Sequence, residues 1–597
     1  MALFKKHFLV IADRQSQRAL HKLGVLLRSS TCFFTTLFAF SCSGLLATEN
    51  EAKIPEQTEP LSSRWQPAYL MQRGDYRKAI DLYLEAYKKS GSHDFELLEQ
   101  MALILLEHGA RSGDPQKQLI SFFGARLAGV SSPLDLLEAG LKSHSAETQL
   151  ACVHTLASLQ DDRSDEILLQ AMSSEFFPVR MDAGYYLAQR KHPKATGQIE
   201  ALMQQVPPFV KFLFPQFFAT LGTKEALFIL RQLMTDQESS CRVEAILNAA
   251  RFNRDDLLPA IRTRASHLHS AEQEASATAL GMLHDDSSLP RLKKLSTAPS
   301  TSVRLAALRS LLEMGQSSAK EAIIEIVKTG DLFAIALAGE LQIGQEELAV
   351  FLKNPDLQIR LNAAIALLQA HDVRACMPLM EILLTDSRGL GIVPQFSSGR
   401  SLISWKIVPS IDQQKRDFLD MPAVSLAVRE HLLQETVELE QQAFLSIARA
   451  VFKRQQIELI PLLISLLENT RTPEAILLLQ EQANKAGAPL IRTYCMLALF
   501  RLQAGPSEYE ESLKQWLITH RKTDMIRFRP SLPMGVRPFS SVYELTAEEQ
   551  SRLLVEICQA LADRHDDKCL KLLIEAIRDG HSENRYALAG LLLRALQ

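Results

Sequence analysis

Val303-Arg304-Leu305-Ala306-Ala307-Leu308-Arg309-Ser310-Leu311-Leu312-Glu313-Met314 is the stretch that decides the fold. With Val303 as position i, position i+1 is basic, i+4 is small, and i+8 and i+11 are apolar. That spacing lays one apolar stripe along a helix. The same frame fits Thr148, Val179, Val210, Cys241, Glu272, Val303, Phe333 and Ile359, in steps of 31, 31, 31, 31, 31, 30 and 26. A period in this range predicts stacked helix pairs, each packing only on its neighbours. The expected fold class is all-α, a right-handed α-α superhelix (solenoid) of stacked helix pairs. Its regular part spans 131–384.

Position i+4 holds Cys152, Ala183, Phe214, Ala245, Ser276, Ala307, Leu337 and Ala363. It is mostly small because a neighbouring helix crosses there. Position i+1 holds Arg180, Lys211, Arg242, Arg304 and Arg360. These bases are expected to hydrogen-bond between adjacent units rather than to line a ligand groove. Acidic pairs recur after the second helix at Asp161-Asp162, Asp255-Asp256 and Asp285-Asp286. His284-Asp285-Asp286 and His565-Asp566-Asp567 are read as caps of the next helix, not as metal ligands.

This second-helix pattern resembles the HEAT repeats, specifically the short bacterial type also found in phycobilisome lyases. The shared mark is Val-Arg-x-x-Ala-x-x-x-Leu-x-x-Leu, carried here with substitutions. The resemblance implies an armadillo-like helical scaffold and says little about a ligand. Residues 64–130 hold a different signal. Gly74-Asp75-Tyr76-Arg77-Lys78-Ala79-Ile80-Asp81-Leu82-Tyr83-Leu84-Glu85-Ala86 resembles the second half of a tetratricopeptide repeat. Small Ala residues let two helices approach there, and Tyr side chains fill the groove beside them.

The first 47 residues carry Lys5, Lys6, Arg14, Arg18, Lys22 and Arg28 against Asp13, so 6 − 1 gives +5. With a total of −3, the rest carries about −8. A weakly acidic body gives no support for nucleic-acid binding through an overall basic surface. The basic segment, the apolar run from Cys32 to Phe40 and the small residues up to Ala47 are the marks of a signal peptide over 1–47, cleaved after Ala47. The expected location is the periplasm or cell envelope. Cys42 faintly resembles a lipoprotein acylation site, but the aliphatic residue three positions earlier is missing. Membrane contact is expected at most through an uncleaved or lipidated N-terminus. Residues 48–63, with Pro55 and Pro60, read as a linker.

Six cysteines remain after that segment: Cys152, Cys241, Cys376, Cys495, Cys558 and Cys569. Cys152 and Cys495 fall at the small i+4 position and Cys241 at position i, which favours core filler over disulfides, and no Cys-x-x-Cys spacing suggests zinc or thioredoxin chemistry. No Ser-His-Asp signature, Gly-rich phosphate loop or His-Glu-x-x-His occurs. The expectation is therefore no catalytic, cofactor-binding or metal residue and no cofactor.

Two stretches break the rhythm. The first, 385–420, is irregular and has strand-like composition at Ser401–Val408. Helical repeats resume over 421–522. The second break, 523–545, is rich in Pro and Arg; Thr546-Ala547-Glu548-Glu549 is then expected to start a helix with a capping box, opening C-terminal HEAT-like repeats over 546–597. Both breaks follow the first helix of a unit and precede the second, so they should emerge on one edge. One reading makes them a partner-binding rim, with Trp405, Arg400, Lys406, Arg527, Arg529 and Arg537 as anchors. The other makes them covers over an end of the core.

The leading functional expectation is a non-catalytic exported scaffold or adaptor binding protein or peptide partners. The alternatives are a phycobilin-lyase-like enzyme attaching chromophores, implied by the family resemblance alone, and a permanent structural subunit of an envelope complex.

Overall fold

The structure, a computed structural model, describes residues 64–129, 134–384, 391–396, 403–408, 422–485, 488–522, 525–530, 545–547 and 549–597. It is built of helix pairs in which the frame positions found in the sequence lie on the second helices. Thr148 lies on Ala146–Ser158, Val179 on Phe177–Gln189, Cys241 on Ser239–Arg251 and Glu272 on Ser270–Met282. Val303 lies on Thr301–Glu313, Phe333 on Leu332–Glu340 and Ile359 on Leu357–Gln369. Val210 is the exception. It sits on a 3-10 turn, Pro208–Leu213, because Pro207, Pro208 and Pro215 break the helix before Pro215–Leu221.

Each small i+4 residue on a helix has a physical reason. Cys152, Ala183, Ala245, Ser276 and Ala307 are fully buried where neighbouring helices meet. All six cysteines of the described part are free, and five of them are buried. Where Gly281 crosses Ser310, an added Cβ would lie 2.2 Å from the Ser310 hydroxyl, which donates to the Ala277 carbonyl at 2.8 Å. Helix starts are set by side-chain caps. Ser145 accepts from the Thr148 N–H, Asp161 from Ser164, Thr223 from Ala226 and Asp331 from Phe333 and Ala334.

Helix ends share a feature that composition hid. Lys191, Asn253, His284, Gln342, His371, Gln455, Gln503 and His565 all have positive φ, between 49 and 58°. All but Gln455, which ends the first helix Gln441–Lys453, follow a second helix, and each takes the left-handed turn usually given to glycine. In that position His284 donates its N–H to Gly281, and Asp285 donates to Leu280. The two histidines are thus helix-ending residues. Asp566 caps the next helix through Cys569, as expected. Asp285 does not: its carboxylate takes both Arg262 nitrogens, at 2.8 and 2.7 Å, and the Ser287 and Ser288 hydroxyls.

The second helices touch one another closely from unit to unit, whereas the first helices touch their like neighbours far less. The row of second helices is therefore the short, concave side. This row closes on itself. The last helix, Asn584–Ala595, packs against Pro115–Leu127 and Phe95–Ala110, near the start of the described chain. The outer row closes too, with Asp567–Asp579 against Tyr76–Ser90. The last unit is thus covered by the first ones.

Both breaks contain short strands. β1 (Gly391–Phe396) pairs antiparallel with β2 (Ile403–Val408), and β3 (Phe528–Pro530) with β4 (Leu545–Ala547). Gly391 and Pro394 hide β1 in the sequence, because glycine weakens a strand and proline is held only at strand edges. Thr546 lies in β4 rather than at a helix cap, and the helix begins at Glu549. Among the described residues no helix is long and apolar enough to cross a membrane.

Candidate interaction surfaces

Three places concentrate polar chemistry. The first is the concave row itself. Arg309 pairs with Glu313 on its own helix at 3.0 Å and with Glu340 on the next second helix at 2.5 Å. Farther along, Arg501 stands between Glu468 at 3.6 Å and Glu556 at 3.2 Å, and Arg552 holds Glu556 at 2.7 Å. Burial pushes the Glu468 carboxyl above its ordinary range, because removal from water disfavours the charged form. These groups line a cleft of about 220 Å³ with Tyr494 and Gln559. Charges of both signs alternate between neighbouring helices, so the row presents a mixed field rather than a basic or acidic one.

The second is a polar cleft of about 450 Å³ lined by Asp161, Asp162, Asp165, Tyr186, Gln189 and Arg190. Arg190 is fully engaged there. It donates to the Leu156, Ala157 and Leu159 carbonyls at the end of the preceding second helix, to the Ser164 hydroxyl and to Asp165. Arg254 repeats the device on the Ala219 and Thr220 carbonyls. The i+1 bases are likewise spent on scaffolding. Arg242 reaches Glu272 of the next unit at 2.6 Å, Arg180 reaches Gln205, and Lys211 lies 3.5 Å from Asp236. Arg304 and Arg360 bond carbonyls of the loops before their own helices.

The third is the seam where the row closes. At its centre Gly124 and Gly590 meet backbone to backbone. Around them Arg578 holds Asp81 at 3.1 Å, Arg77 lies 3.7 Å from Asp579, and Arg585 stacks on Tyr76 at 4.8 Å. Gln597 donates to the Ala128 carbonyl at 2.8 Å. Burial pushes the Tyr76 hydroxyl up to about 12. Gly590, with Ala587 and Ala589 beside it, is the sequence signal for a further helix neighbour.

The residues expected to anchor a rim divide between two of these places. Trp405 and Lys406 lie on β2, opposite Pro394 and Val393 of β1, and β2 runs beside Leu332–Glu340 and Leu357–Gln369. Arg529 lies on β3 opposite Thr546. Arg527 is exposed, and its backbone N–H donates to the Ser551 hydroxyl at 3.2 Å. Its neighbour Ile526 is buried and donates to Asn584 of the last helix at 2.8 Å, so this group sits at the seam. Arg400, Arg537 and Ala47 lie outside the described residues.

Among the described residues one group, Glu510, Asp566 and Cys569, brings carboxylate and thiol atoms within 4.8 Å of one another. Its atoms have other partners. Glu510 holds Lys514 at 2.7 Å, and Asp566 caps Cys569. Burial pushes the Cys569 thiol up to about 12.

Residues 226–311 match the family described as HEAT repeats. No curated protein matches the sequence. Among solved structures, the complex of CpcE and CpcF of phycocyanin lyase from Nostoc sp. PCC7120 is similar, at 16% identity and a TM-score of 0.24. It covers 41% of this chain and 93% of that one. A homology model of the full-length AP-3 complex in an intermediate open conformation is similar at 12% identity and a TM-score of 0.26, covering 89% and 93%. Kap121p bound to RanGTP is similar at 13% identity and a TM-score of 0.26, covering 87% of this chain and 60% of that one. HEAT repeats are present in this chain, and stacked helix pairs continue on both sides of the matched residues.

Proposed function

We propose that this protein is a non-catalytic scaffold or adaptor that binds protein or peptide partners in the cell envelope after export. The observation that carries the reading is the concave row, whose second helices present alternating charges and the polar cleft at Glu468, Arg501 and Glu556. Stacked helix pairs build extended surfaces suited to partner binding. Mixed charge of this kind favours selectivity and orientation over raw affinity. Export rests on the basic and apolar N-terminal segment ending at Ala47.

Crosslinking with mass spectrometry on intact cells tests the binding reading. Crosslinks from concave residues to other proteins are expected, and crosslinks confined to this chain would overturn it. One stoichiometric partner would make the protein a permanent subunit of a complex, and several would make it an adaptor. N-terminal sequencing tests export: a mature chain starting at Thr48 is expected, and one starting near Met1 would refute it.

A further inference from the structure

Between adjacent units in this chain, the joint is crossed by the backbone. The seam between Asn584–Ala595 and the helices Phe95–Ala110 and Pro115–Leu127 is different, because its two sides lie far apart in the chain and, among the described residues, meet through side chains and close backbone packing. It also has the anatomy of a protein–protein interface. Its centre is apolar and tightly packed, with Gly124, Gly590, Ala587 and Leu106 in contact. Its rim is ionic and aromatic, with Arg578–Asp81, Arg77–Asp579 and Arg585 on Tyr76. The two faces are not alike, so the contact is heterologous.

We propose that this seam is also made between copies of the chain: the C-terminal unit of one molecule docks on the N-terminal helices of a second. This goes beyond partner binding on the concave row and does not depend on it. Three observations carry it. The faces are complementary in shape to the level of backbone contact, since Gly590 accommodates the Gly124 carbonyl. They are complementary in charge, with Asp81 offered by one face and Arg578 by the other. And curvature in a solenoid is the sum of small rotations at each joint, so a slight change spread over many units parts the two ends. Once parted, each end exposes an apolar face fitted to the other, and a second copy supplies that face in the same geometry. Two chains exchanging ends in this way form a closed head-to-tail dimer. Closure within one chain has the advantage of high effective concentration, so the exchanged form is expected to grow with protein concentration.

The experiment uses full-length protein. Gly590→Leu puts a side chain where the Gly124 carbonyl stands, and Gly124→Leu puts one against the Tyr586 carbonyl. Either change blocks closure within a chain. In an equimolar mixture, the unmodified C-terminal face of one variant meets the unmodified N-terminal face of the other. Light scattering should show each variant alone as a monomer and the mixture as a species of doubled mass. A mixture of monomers, with both variants helical by circular dichroism, would overturn the proposal. If either variant fails to fold, a milder pair replaces it. Asp81→Cys in one chain and Arg578→Cys in another can form a disulfide with each other only between copies. A crosslinked heterodimer from the mixed chains supports the proposal, and monomers alone refute it.

Discussion

Gly590 and Gly124 touch backbone to backbone across the closure of the ring. A Cβ on Gly590 would lie 1.8 Å from the Gly124 carbonyl oxygen and 2.8 Å from its Cα. No rotamer relieves a clash with main chain. Gly590→Ala should therefore push the last helix off Pro115–Leu127 and destabilise the protein by about 1–3 kcal/mol, the range for overpacking a well-packed core. Gly113 has nothing within 4 Å of an added Cβ, and Gly113→Ala should stay within about 0.5 kcal/mol. Urea denaturation compares the two. Equal midpoints would show that the seam yields without cost.

His93 makes the closure sensitive to acid. It is buried beside the last units, its Nδ1 lies 2.8 Å from the Tyr83 hydroxyl, and its ring stacks on Tyr87 at 4.0 Å. Burial lowers its pKa, and nearby Asp567 only partly opposes that. A histidine with a lowered folded pKa takes up its proton more readily when unfolded. The folded state therefore keeps its full stability above the unfolded pKa of about 6.5 and loses it as pH falls toward the lower folded value. The melting temperature should drop as pH falls below about 6.5, and His93→Gln should flatten that slope. An unchanged slope in the variant would remove His93 as the cause.

The left-handed turns at helix ends predict a gain. His371 and Gln455 are exposed and have φ of 58 and 51°. A side chain in this conformation costs about 1–2 kcal/mol, against about 0.5–1 kcal/mol of extra chain entropy lost by glycine. His371→Gly and Gln455→Gly should each raise stability by about 0.5–1 kcal/mol, read as a higher urea midpoint. A fall at both positions would mean that these side chains hold contacts worth more than the strain.

The sequence made the stacked pairs legible because the core of a solenoid repeats its chemistry every unit. Val303, Ala307 and Leu311 meet the same neighbours as Val179, Ala183 and Leu187, so one periodic signal reported all of them. It could not report the seam. Gly124 and Gly590 belong to the same repeating class of small residues, and only their meeting distinguishes them. That meeting depends on the accumulated curvature of the intervening units, which no local window contains. The αL turns were hidden for a different reason. Glycine normally marks them, and of the described second-helix ends only Gly222 and Gly315 show it, while His284, Asn253 and Gln503 accept the strain without any compositional sign. Asp285 was misread because an Asp before a helix is usually a cap, whereas Arg262, 23 residues earlier, claims it.

Arg190 is the side chain whose loss should cost the array most locally. Its guanidinium donates to the Leu156 carbonyl at 2.7 Å, to Ala157 at 3.1 Å and to Leu159, and to Ser164 at 2.9 Å, with Asp165 as counter-ion. The carbonyls belong to the end of Ala146–Ser158, where the last turn of a helix has no partners of its own. The planar fork spans several acceptors at once, which an ammonium does not. Arg190→Met keeps the stem and removes every donor. It should cost about 3 kcal/mol, the upper end for hydrogen bonds to a charged group. Arg190→Lys should recover less than half of that. Arg163 offers the contrast: its pairing with Asp135 lies in solvent, with side-chain exposures of 51% and 84%, and Arg163→Ala should leave the urea midpoint unchanged. Hydrogen exchange locates the effect. Arg190→Met should raise exchange at the end of Ala146–Ser158 and the start of Asp162–Ala171 before anywhere else. Exchange rising evenly along the array would mean that Arg190 supports the ring as a whole rather than this one joint.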